Sequence, residues 1–244
     1  MAASIKQAVL LAAGKGTRLL PATEHVPKCL VHISGRPLLD SLLEGLSHTD
    51  VEELVVVVGY KEQPLRDHLA AQALPFKVVV CPDYATTNNI VSLLAAAEAV
   101  KPPFMLLESD VYAEPTVYKR LMEPDTMLVS EYQEEMDGTG AAIGDGESIV
   151  GLQLAAHKSP EGVNRLKKTV NYCSLSRASW SEIERRVSQW VTEGRTGEYY
   201  EAVFAELLSE GKVSFSASDI SSLRWKEIDD LIDLAAAERL TQFG

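Results

Sequence analysis

Glycines and basic side chains lie together in one stretch near the start of the chain, residues 8–28. The stretch begins with an apolar run, breaks at Gly14 and Gly16, and continues to Arg18 and Lys28. Backbone N–H groups can point at an anion only where no Cβ is in the way, and arginine can bind two phosphate oxygens at once. These residue types and their spacing indicate a loop that binds phosphate groups.

The loop fits neither of two common nucleotide-binding motifs. A Walker A loop needs a glycine five residues before a Gly-Lys-Ser/Thr end, whereas here Lys15 is followed by Gly16. The dinucleotide fingerprint needs a third glycine, and Leu19 stands in its place. A Gly-x-Gly pair also occurs in tight strand-to-helix turns, so the phosphate hypothesis depends on the nearby charges of Arg18 and Lys28.

Two aspartates are the candidates for a metal site. Asp110 follows an apolar run, and Asp229 lies in an acidic turn near the end of the chain. Mg²⁺ in phosphate-binding sites takes one or two carboxylates and completes its shell with phosphate oxygens and water. An acid at either position also suits a turn or the start of a helix. A magnesium site therefore requires the two aspartates to meet in space.

Predicted strands and helices alternate in the first half of the chain, and they must position these residues. Strands are predicted from apolar runs at 7–12, 53–58, 76–81 and 104–107. Helices are predicted at 37–46, 61–72 and 88–100. This alternation predicts a three-layer α/β/α, doubly wound, mostly parallel, Rossmann-like sheet, with its ligand beyond the carboxyl ends of the strands. Gly14, Asp83 and Asp110 follow such ends.

The second half has shorter predicted elements and no linker or internal repeat. Strands are predicted at 127–132, 140–143, 149–154, 168–174 and 213–215. Helices are predicted at 178–192 and 200–209, and the chain closes as an acidic loop and helix at 225–240. We therefore expect one domain over 1–244, in which residues 113–244 elaborate the sheet begun by residues 1–112.

Composition and charge exclude several classes of protein. The net charge of -12 argues against binding nucleic acid through a basic surface, but not against a small phosphate ligand that arrives with magnesium. No apolar run of about 18 residues predicts a membrane span. Cys29, Cys81 and Cys173 are too few and too scattered for a disulfide framework or a zinc site. A cytoplasmic protein is expected.

The segment LAAGKGTRLLPAT, followed by PKCLVHISGRPLLD, closely resembles the opening of the nucleotidyltransferases that activate sugar phosphates and related phospho-alcohols. Within that superfamily the chain is most similar to small CTP-dependent cytidylyltransferases that act on phosphocholine, 2-aminoethylphosphonate or 2-hydroxyethylphosphonate. The further matches are Asp83-Tyr84, Asn88-Asn89-Ile90 with Ser92, Glu108-Ser109-Asp110-Val111, Lys168-Thr169-Val170-Asn171, and Trp225 with Glu227-Ile228-Asp229. The resemblance covers nearly the whole chain, least so between 132 and 165, and implies the GT-A-like nucleotidyltransferase fold.

The resemblance implies a role for each matching residue. The residues that would bind the nucleotide are Ala12, Ala13, Gly14, Gly16, Thr17, Asp83, Asn88 and Ser109. Arg18 would hold phosphates, Lys28 would lie against the reacting phosphoryl group, and Lys168 would bind the phosphate or phosphonate of the acceptor. Lys168 also suits a solvated strand position beside Lys167. Asp110 and Asp229 would hold Mg²⁺. Residues 1–112 would then bind the nucleotide and residues 113–244 the acceptor.

The implied reaction transfers CMP from CTP to a small phosphonate or phospho-alcohol and releases pyrophosphate. A choline group would favour an aromatic cage. The candidate aromatic residues are Tyr112, Tyr132, Tyr172, Tyr199, Tyr200 and Trp225. Met136 stands where the phosphocholine enzymes of the family place tryptophan, which favours a smaller phosphonate.

The sequence is also compatible with two other functions. One is a sugar-1-phosphate nucleotidyltransferase that uses UTP, dTTP or GTP. The other is a catalytically silent nucleotide-binding regulatory subunit, against which the joint presence of Arg18, Lys28, Asp110 and Asp229 argues. Phosphonate cytidylyltransferases are often fused to other enzymes, so the chain is also compatible with one domain of a larger multifunctional protein.

Overall fold

The structure is a computed structural model that describes residues 4–132, 136, 138–154 and 165–241. The strands are β1 (Gln7–Ala12), β2 (His32–Ile33), β3 (Arg36–Pro37), β4 (Glu53–Val58), β5 (Phe76–Val80), β6 (Phe104–Glu108), β7 (Val111–Ala113), β8 (Thr126–Glu131), β9 (Gly140–Ile143), β10 (Ser148–Gln153), β11 (Leu166–Leu175), β12 (Phe215–Asp219) and β13 (Trp225–Glu227). The α-helices are α1 (Leu38–Ser47), α2 (Glu62–Ala70), α3 (Asn89–Ala95), α4 (Arg177–Thr192), α5 (Tyr200–Ser209) and α6 (Leu231–Thr241).

Nine of the strands in the described ranges form one sheet in the order β5-β4-β1-β6-β11-β8-β12-β10-β9. The first four strands of this order are parallel, because a helix returns the chain across the sheet between one strand and the next. The remaining neighbours are antiparallel apart from β8 and β12. The α/β class and the doubly wound parallel half are thus as predicted, and the later strands make the sheet mixed.

The strands of the antiparallel half form a closed ring of pairings, because β11 pairs with both β8 and β9. β11 pairs with β8 on one side and, through its first residues, with β9 on the other. The strands β11, β8, β12, β10 and β9 therefore form a closed circuit of pairings. Asn171 has a positive φ of 60°, and the register of β11 shifts between Thr169 and Cys173. This irregularity divides β11 into a first half that pairs with β8 and β9 and a second half that pairs with β8 and β6.

Both faces of the parallel half are buried, which explains its continuous apolar runs. In β4, Val55 and Val57 pack in the cluster that includes residues of α3, α4 and α5. Leu54, Val56 and Val58 pack on the other face in the cluster that includes residues of α1 and α2. The three cysteines are buried, and none of them forms a disulfide bond. None of the helices in the described ranges has both the length and the apolar character needed to cross a membrane.

A two-stranded ribbon of β7 and β13 brings the end of the chain to the carboxyl end of β6. The strands are antiparallel, with Glu227 opposite Val111. The Ile228 N–H donates a hydrogen bond to the Asp110 carbonyl oxygen at 2.8 Å. The ribbon departs from the prediction, because residues 225–227 form a strand and the last helix begins only at Leu231. The ribbon places the two predicted metal-binding aspartates side by side.

Candidate active site

The phosphate-binding loop turns at Gly16, which has a φ of +60° and begins the short 3-10 turn Thr17–Leu19. The Thr23 hydroxyl donates to the Gly16 carbonyl oxygen at 2.8 Å. A Cβ added at Gly16 would lie 3.2 Å from the Thr23 methyl and 3.3 Å from the Lys28 Cβ. The left-handed backbone and this close approach both favour glycine at this position.

Lys28 joins the two aspartates. Its Nζ lies 3.0 Å from Asp110 Oδ2 and 2.7 Å from Asp229 Oδ1. Burial alone would lower the pKa of Lys28, but the two carboxylates raise it above its ordinary value. Burial would raise the pKa of Asp229, yet Lys28 and then Arg18 hold it below its ordinary value. The ammonium and the Asp229 carboxylate therefore stay charged near neutral pH.

Arg18 reaches the same site from the loop. Its guanidinium lies 3.0 Å from Asp229 Oδ1, while its side chain remains 64% exposed. A partly solvated guanidinium can exchange a carboxylate for a phosphate group at little cost, because its contact with the carboxylate is not deeply buried.

The donor set at this point suits a magnesium ion that also binds phosphate. Asp110 Oδ1 is buried and has no hydrogen-bond partner, which is costly unless another group binds there. Within the described ranges no three His, Cys, Asp or Glu side chains gather as a metal cage. Two carboxylates with an unsatisfied oxygen fit the coordination preference of Mg²⁺, which binds one or two carboxylates and completes its coordination shell with phosphate oxygens and water.

A cleft of about 440 Å³ opens above the carboxyl ends of β1 and β6. The predicted site residues that line it are Ala13, Gly14, Gly16, Thr17, Arg18, Lys28, Asn88, Ser109, Asp110 and Asp229. Ala12 and Asp83 are not among its lining residues. Ala12 is buried in β1. Asp83 is exposed, and its carbonyl oxygen accepts from the Thr87 N–H at 3.1 Å and from the Thr87 hydroxyl at 2.8 Å.

Asn88 uses its polar groups within the protein. Its side-chain oxygen accepts from the Asn89 N–H at 2.8 Å and caps the start of α3. Its backbone N–H donates to the Thr196 carbonyl oxygen, and its Nδ2 donates to the Gly197 carbonyl oxygen at 3.3 Å. Asn88 thus attaches the loop before α5 to the rim of the cleft, where Tyr199 lines it.

Sequence reasoning missed a cluster of two acids, Glu108, which lines the cleft, and Glu201, which is not among its lining residues. The Asn89 Nδ2 donates to Glu108 at 3.4 Å and to Glu201 at 3.2 Å, and the Asn89 Oδ1 accepts from the Tyr200 N–H at 2.9 Å. Burial raises the pKa of Glu201 to about 7. Burial, then Asp110 and Glu201, raises the pKa of Glu108 well above its usual range. The motif matches at Asn89 and Glu108 were the available signal, but they gave neither residue a role.

A second cavity of about 400 Å³ adjoins the cleft and shares Arg18 and Asp229 with it. Lys168 lines this cavity but is almost fully buried, and its Nζ lies 3.1 Å from Glu227 Oε2. Lys168 is therefore not a solvated strand lysine. Met136, which stands where the phosphocholine enzymes of the family place tryptophan, also lines this cavity.

The aromatic candidates do not gather around this second cavity. Trp225 lines it, whereas Tyr199 lines the nucleotide cleft. Tyr172 and Tyr200 are buried in the protein interior. The structure therefore does not bring these residues together as a cage for a quaternary ammonium group.

Comparison with known proteins gives one family match and several relatives. The family model described as the MobA-like NTP transferase domain matches residues 8–189. A CMP-5'-(3-aminopropyl)phosphonate synthase from Streptomyces rubellomurinus is 31% identical over 250 residues, which cover 95% of this chain and 38% of that protein. A 2-aminoethylphosphonate cytidylyltransferase from Lancefieldella rimae is 37% identical over 97 residues, which are 38% of each chain. The chain thus spans well under two thirds of the length of these curated relatives.

The fold is also shared with solved structures. The CTP:phosphocholine cytidylyltransferase from Streptococcus pneumoniae superposes with a TM-score of 0.82 over 98% of this chain and 100% of that one, at 19% sequence identity. A likeness at this identity establishes the GT-A-like nucleotidyltransferase fold.

Proposed function

The chain belongs to the family of MobA-like NTP transferase domains, and we propose that it is a magnesium-dependent cytidylyltransferase. It transfers CMP from CTP to a small phosphonate or phospho-alcohol and releases pyrophosphate. The observation that carries this proposal is the wall between the two cavities. Arg18 and Asp229 line both, and Lys28 and Asp110 meet Asp229 there. A nucleotide in one cavity and an acceptor in the other would meet at this cluster of charges.

The cluster suits attack of an acceptor oxygen on the α-phosphorus of a nucleoside triphosphate. A phosphate or phosphonate acceptor is already an anion near neutral pH, so the reaction needs no general base. It needs two anions held in line, and orientation of this kind lowers a barrier by as much as roughly 7–11 kcal/mol. Lys28 and Arg18 would neutralise the charge that moves onto pyrophosphate.

Asp110 and Asp229 are the residues that would hold Mg²⁺. When bound, the ion would supply charge neutralisation for the triphosphate. The buried and unpartnered Asp110 Oδ1 supports this assignment.

The preference for CTP and for a phosphonate or phospho-alcohol is supported by the names of the relatives. Two curated relatives are named for CMP-aminopropylphosphonate synthesis and for cytidylyl transfer to 2-aminoethylphosphonate. The second cavity adds a chemical argument for an amino-bearing acceptor. Its lining combines the basic Arg18 with the acidic Asp230, beside the ion pair that Lys226 forms with Asp233 at 2.8 Å, which suits a ligand that carries both signs of charge.

The test is pyrophosphate release with CTP, UTP, dTTP and GTP, each offered with 2-aminoethylphosphonate, 2-hydroxyethylphosphonate, phosphocholine and glucose 1-phosphate. We expect turnover with CTP and one of the first three acceptors, lost on chelation of Mg²⁺ and restored by adding it back. A preference for UTP, dTTP or GTP with the sugar phosphate would identify a sugar nucleotidyltransferase instead. Nucleotide binding without turnover in any mixture would identify a regulatory subunit.

A further inference from the structure

The nucleotide cleft has a basic end and an uncharged one. The basic residues among its described lining are Arg18 and Lys28, and both contact Asp229. Another group of lining residues, around the starts of α3 and α5, brings no charge: Tyr84, Thr87, Asn88 and Tyr199. A triphosphate would lie at the basic end, because its charge is neutralised there. The nucleoside would then lie against the uncharged group.

Two tyrosines belong to this uncharged group, and they differ in what their rings contact. The ring of Tyr84 packs on the protein: a Cβ added at Gly59 would lie 2.6 Å from two of its atoms, and Tyr84 also packs against the core. Tyr199 is 56% exposed although it lines the cleft. Tyr199 is therefore the one of the two whose ring leaves surface for a ligand.

The backbone on both sides of Tyr199 is fixed to the start of α3. The Asn88 N–H donates to the Thr196 carbonyl oxygen at 2.9 Å. The Tyr200 N–H donates to the Asn89 Oδ1, also at 2.9 Å. These bonds hold the position of Tyr199 at the cleft without using its side chain. A tyrosine held in this way offers a large flat surface at a low cost in conformational entropy.

A flat ring at the uncharged end of a nucleotide cleft suits one part of a nucleotide. Every nucleobase has a π-face that can stack on an aromatic side chain, and such stacking strengthens binding whatever the base. We infer that Tyr199 stacks on the base of the bound nucleotide. The residue then serves the nucleotide and not the acceptor, for which the sequence made it a candidate. This role rests on the proposed function, in that a nucleoside triphosphate occupies the cleft.

The first test is binding of CTP with Mg²⁺ to the full chain, measured by titration calorimetry. Tyr199→Leu keeps apolar bulk and loses the flat ring, so we expect CTP to bind roughly fivefold to a hundredfold more weakly. Tyr199→Phe is the matched control, because it keeps the ring and loses the hydroxyl, and it should keep the affinity. Unchanged affinity in a folded Tyr199→Leu protein would overturn the inference. An equal loss in Tyr199→Phe would do the same, since it would assign the effect to the hydroxyl.

The second test separates stacking from a general disturbance of the cleft. Ribose 5-triphosphate carries the phosphates and the sugar of the nucleotide but no base. Its affinity should be the same for the unmodified protein and for Tyr199→Leu. A loss as large as that for CTP would show that the substitution disturbs the cleft itself, and stacking would be refuted.

The third test gives a signal from the ring position. Tyr199→Trp keeps an aromatic ring, and its indole fluorescence should be quenched by CTP and not by ribose 5-triphosphate. The unmodified protein, with its three tryptophans, supplies the background. Absence of quenching at saturating CTP would contradict the inference. This readout also decides the question if Tyr199→Leu fails to fold, as judged by circular dichroism.

The fate of this inference can be told apart from that of the proposed function, because binding needs no acceptor. Absence of turnover with every acceptor would refute cytidylyl transfer, while stacking on the base would still be measured. Turnover by the unmodified protein together with full CTP affinity in Tyr199→Leu would refute stacking alone.

Discussion

The carboxylates of Asp110 and Asp229 lie on one ammonium group, 3.0 and 2.7 Å from the Lys28 Nζ. Two acids at this spacing would repel each other without a cation. Lys28 therefore both holds the site together and supplies charge for an incoming phosphate. The side chain of Lys28 is only 12% exposed, so its ammonium lies largely out of water. Its interactions with anions are stronger there than they would be in water.

Lys28→Ala should lower kcat by about 10²–10³, because it removes a well-placed cation from the reacting phosphoryl group. The measurement is pyrophosphate release with saturating CTP and acceptor. Lys15→Ala is the matched control, since Lys15 belongs to the same loop but is exposed and does not line the cleft. Near-normal kcat in a folded Lys28→Ala protein would contradict the mechanism.

Substitutions at the two loop glycines should have different effects. Gly16→Ala forces a Cβ into a left-handed backbone beside Thr23 and Lys28, so it should cost about 1–2 kcal/mol of stability and lower kcat. Nothing lies within 4 Å of a Cβ added at Gly14. Gly14→Ala should keep the stability of the protein and raise KM for the nucleotide, because Gly14 lines the cleft.

Urea unfolding and steady-state kinetics on both glycine variants would test this contrast. Equal stability of the two variants would mean that the backbone at Gly16 relaxes without cost.

Lys168 and Glu227 should be coupled in stability. Their charged groups lie 3.1 Å apart, and the lysine side chain is 2% exposed. Removing one partner of a buried pair leaves an uncompensated charge, so Lys168→Met should cost about 3–5 kcal/mol. The double variant with Glu227→Gln should cost less than the sum of the single variants, by about 0.5–3 kcal/mol. Additive losses in urea unfolding would show that the pair does not interact.

The stability of the protein should fall with rising pH through Glu201. The folded state raises the pKa of Glu201 from its ordinary 4.5 to about 7, because burial disfavours the charged form. The associated stabilisation is fully present below the unfolded pKa and is lost as the pH rises through about 7. A pKa unit corresponds to about 1.4 kcal/mol, so the loss approaches about 3 kcal/mol. The titratable groups that face Glu201 are Glu108, Lys168, Cys173, Tyr200 and Glu227.

Glu201→Gln removes this titration and keeps the hydrogen bond to Asn89. The free energies of unfolding of both proteins would be compared at pH 5 and pH 8.5. The unmodified protein should lose stability relative to the variant over that interval. Parallel behaviour of the two proteins would show that Glu201 is charged throughout.

The parallel half of the fold was predictable because its signals are local. The run at residues 54–58 is apolar at every position, and all five residues are buried, as in a strand covered on both faces. Asp110 was likewise visible as an acid after an apolar strand. Asp229 was a candidate from its acidic turn and from the resemblance, but no local pattern predicts that these two distant turns meet through a ribbon of β7 and β13.

The environment of Lys168 was not predictable. Two adjacent lysines in a strand point to opposite faces, and nothing in the sequence says which one is buried. In the structure Lys167 pairs with the exposed Glu131 and Asp219, while Lys168 turns inward to Glu227.

The bonds of Asn89 depend on the start of α5, which is far along the chain. Its role in holding Glu108 therefore required tertiary structure.

The ribbon of β7 and β13 also sets an order on the making of the site. During synthesis the first half of a chain emerges and begins to fold before the last residues exist. The parallel strands, the glycine loop, Lys28 and Asp110 can all be in place before β13 leaves the ribosome, but Asp229 arrives only with β13. The nascent protein thus carries half of its acidic pair until residue 229 has been made, and it gains the other half when β13 pairs with β7.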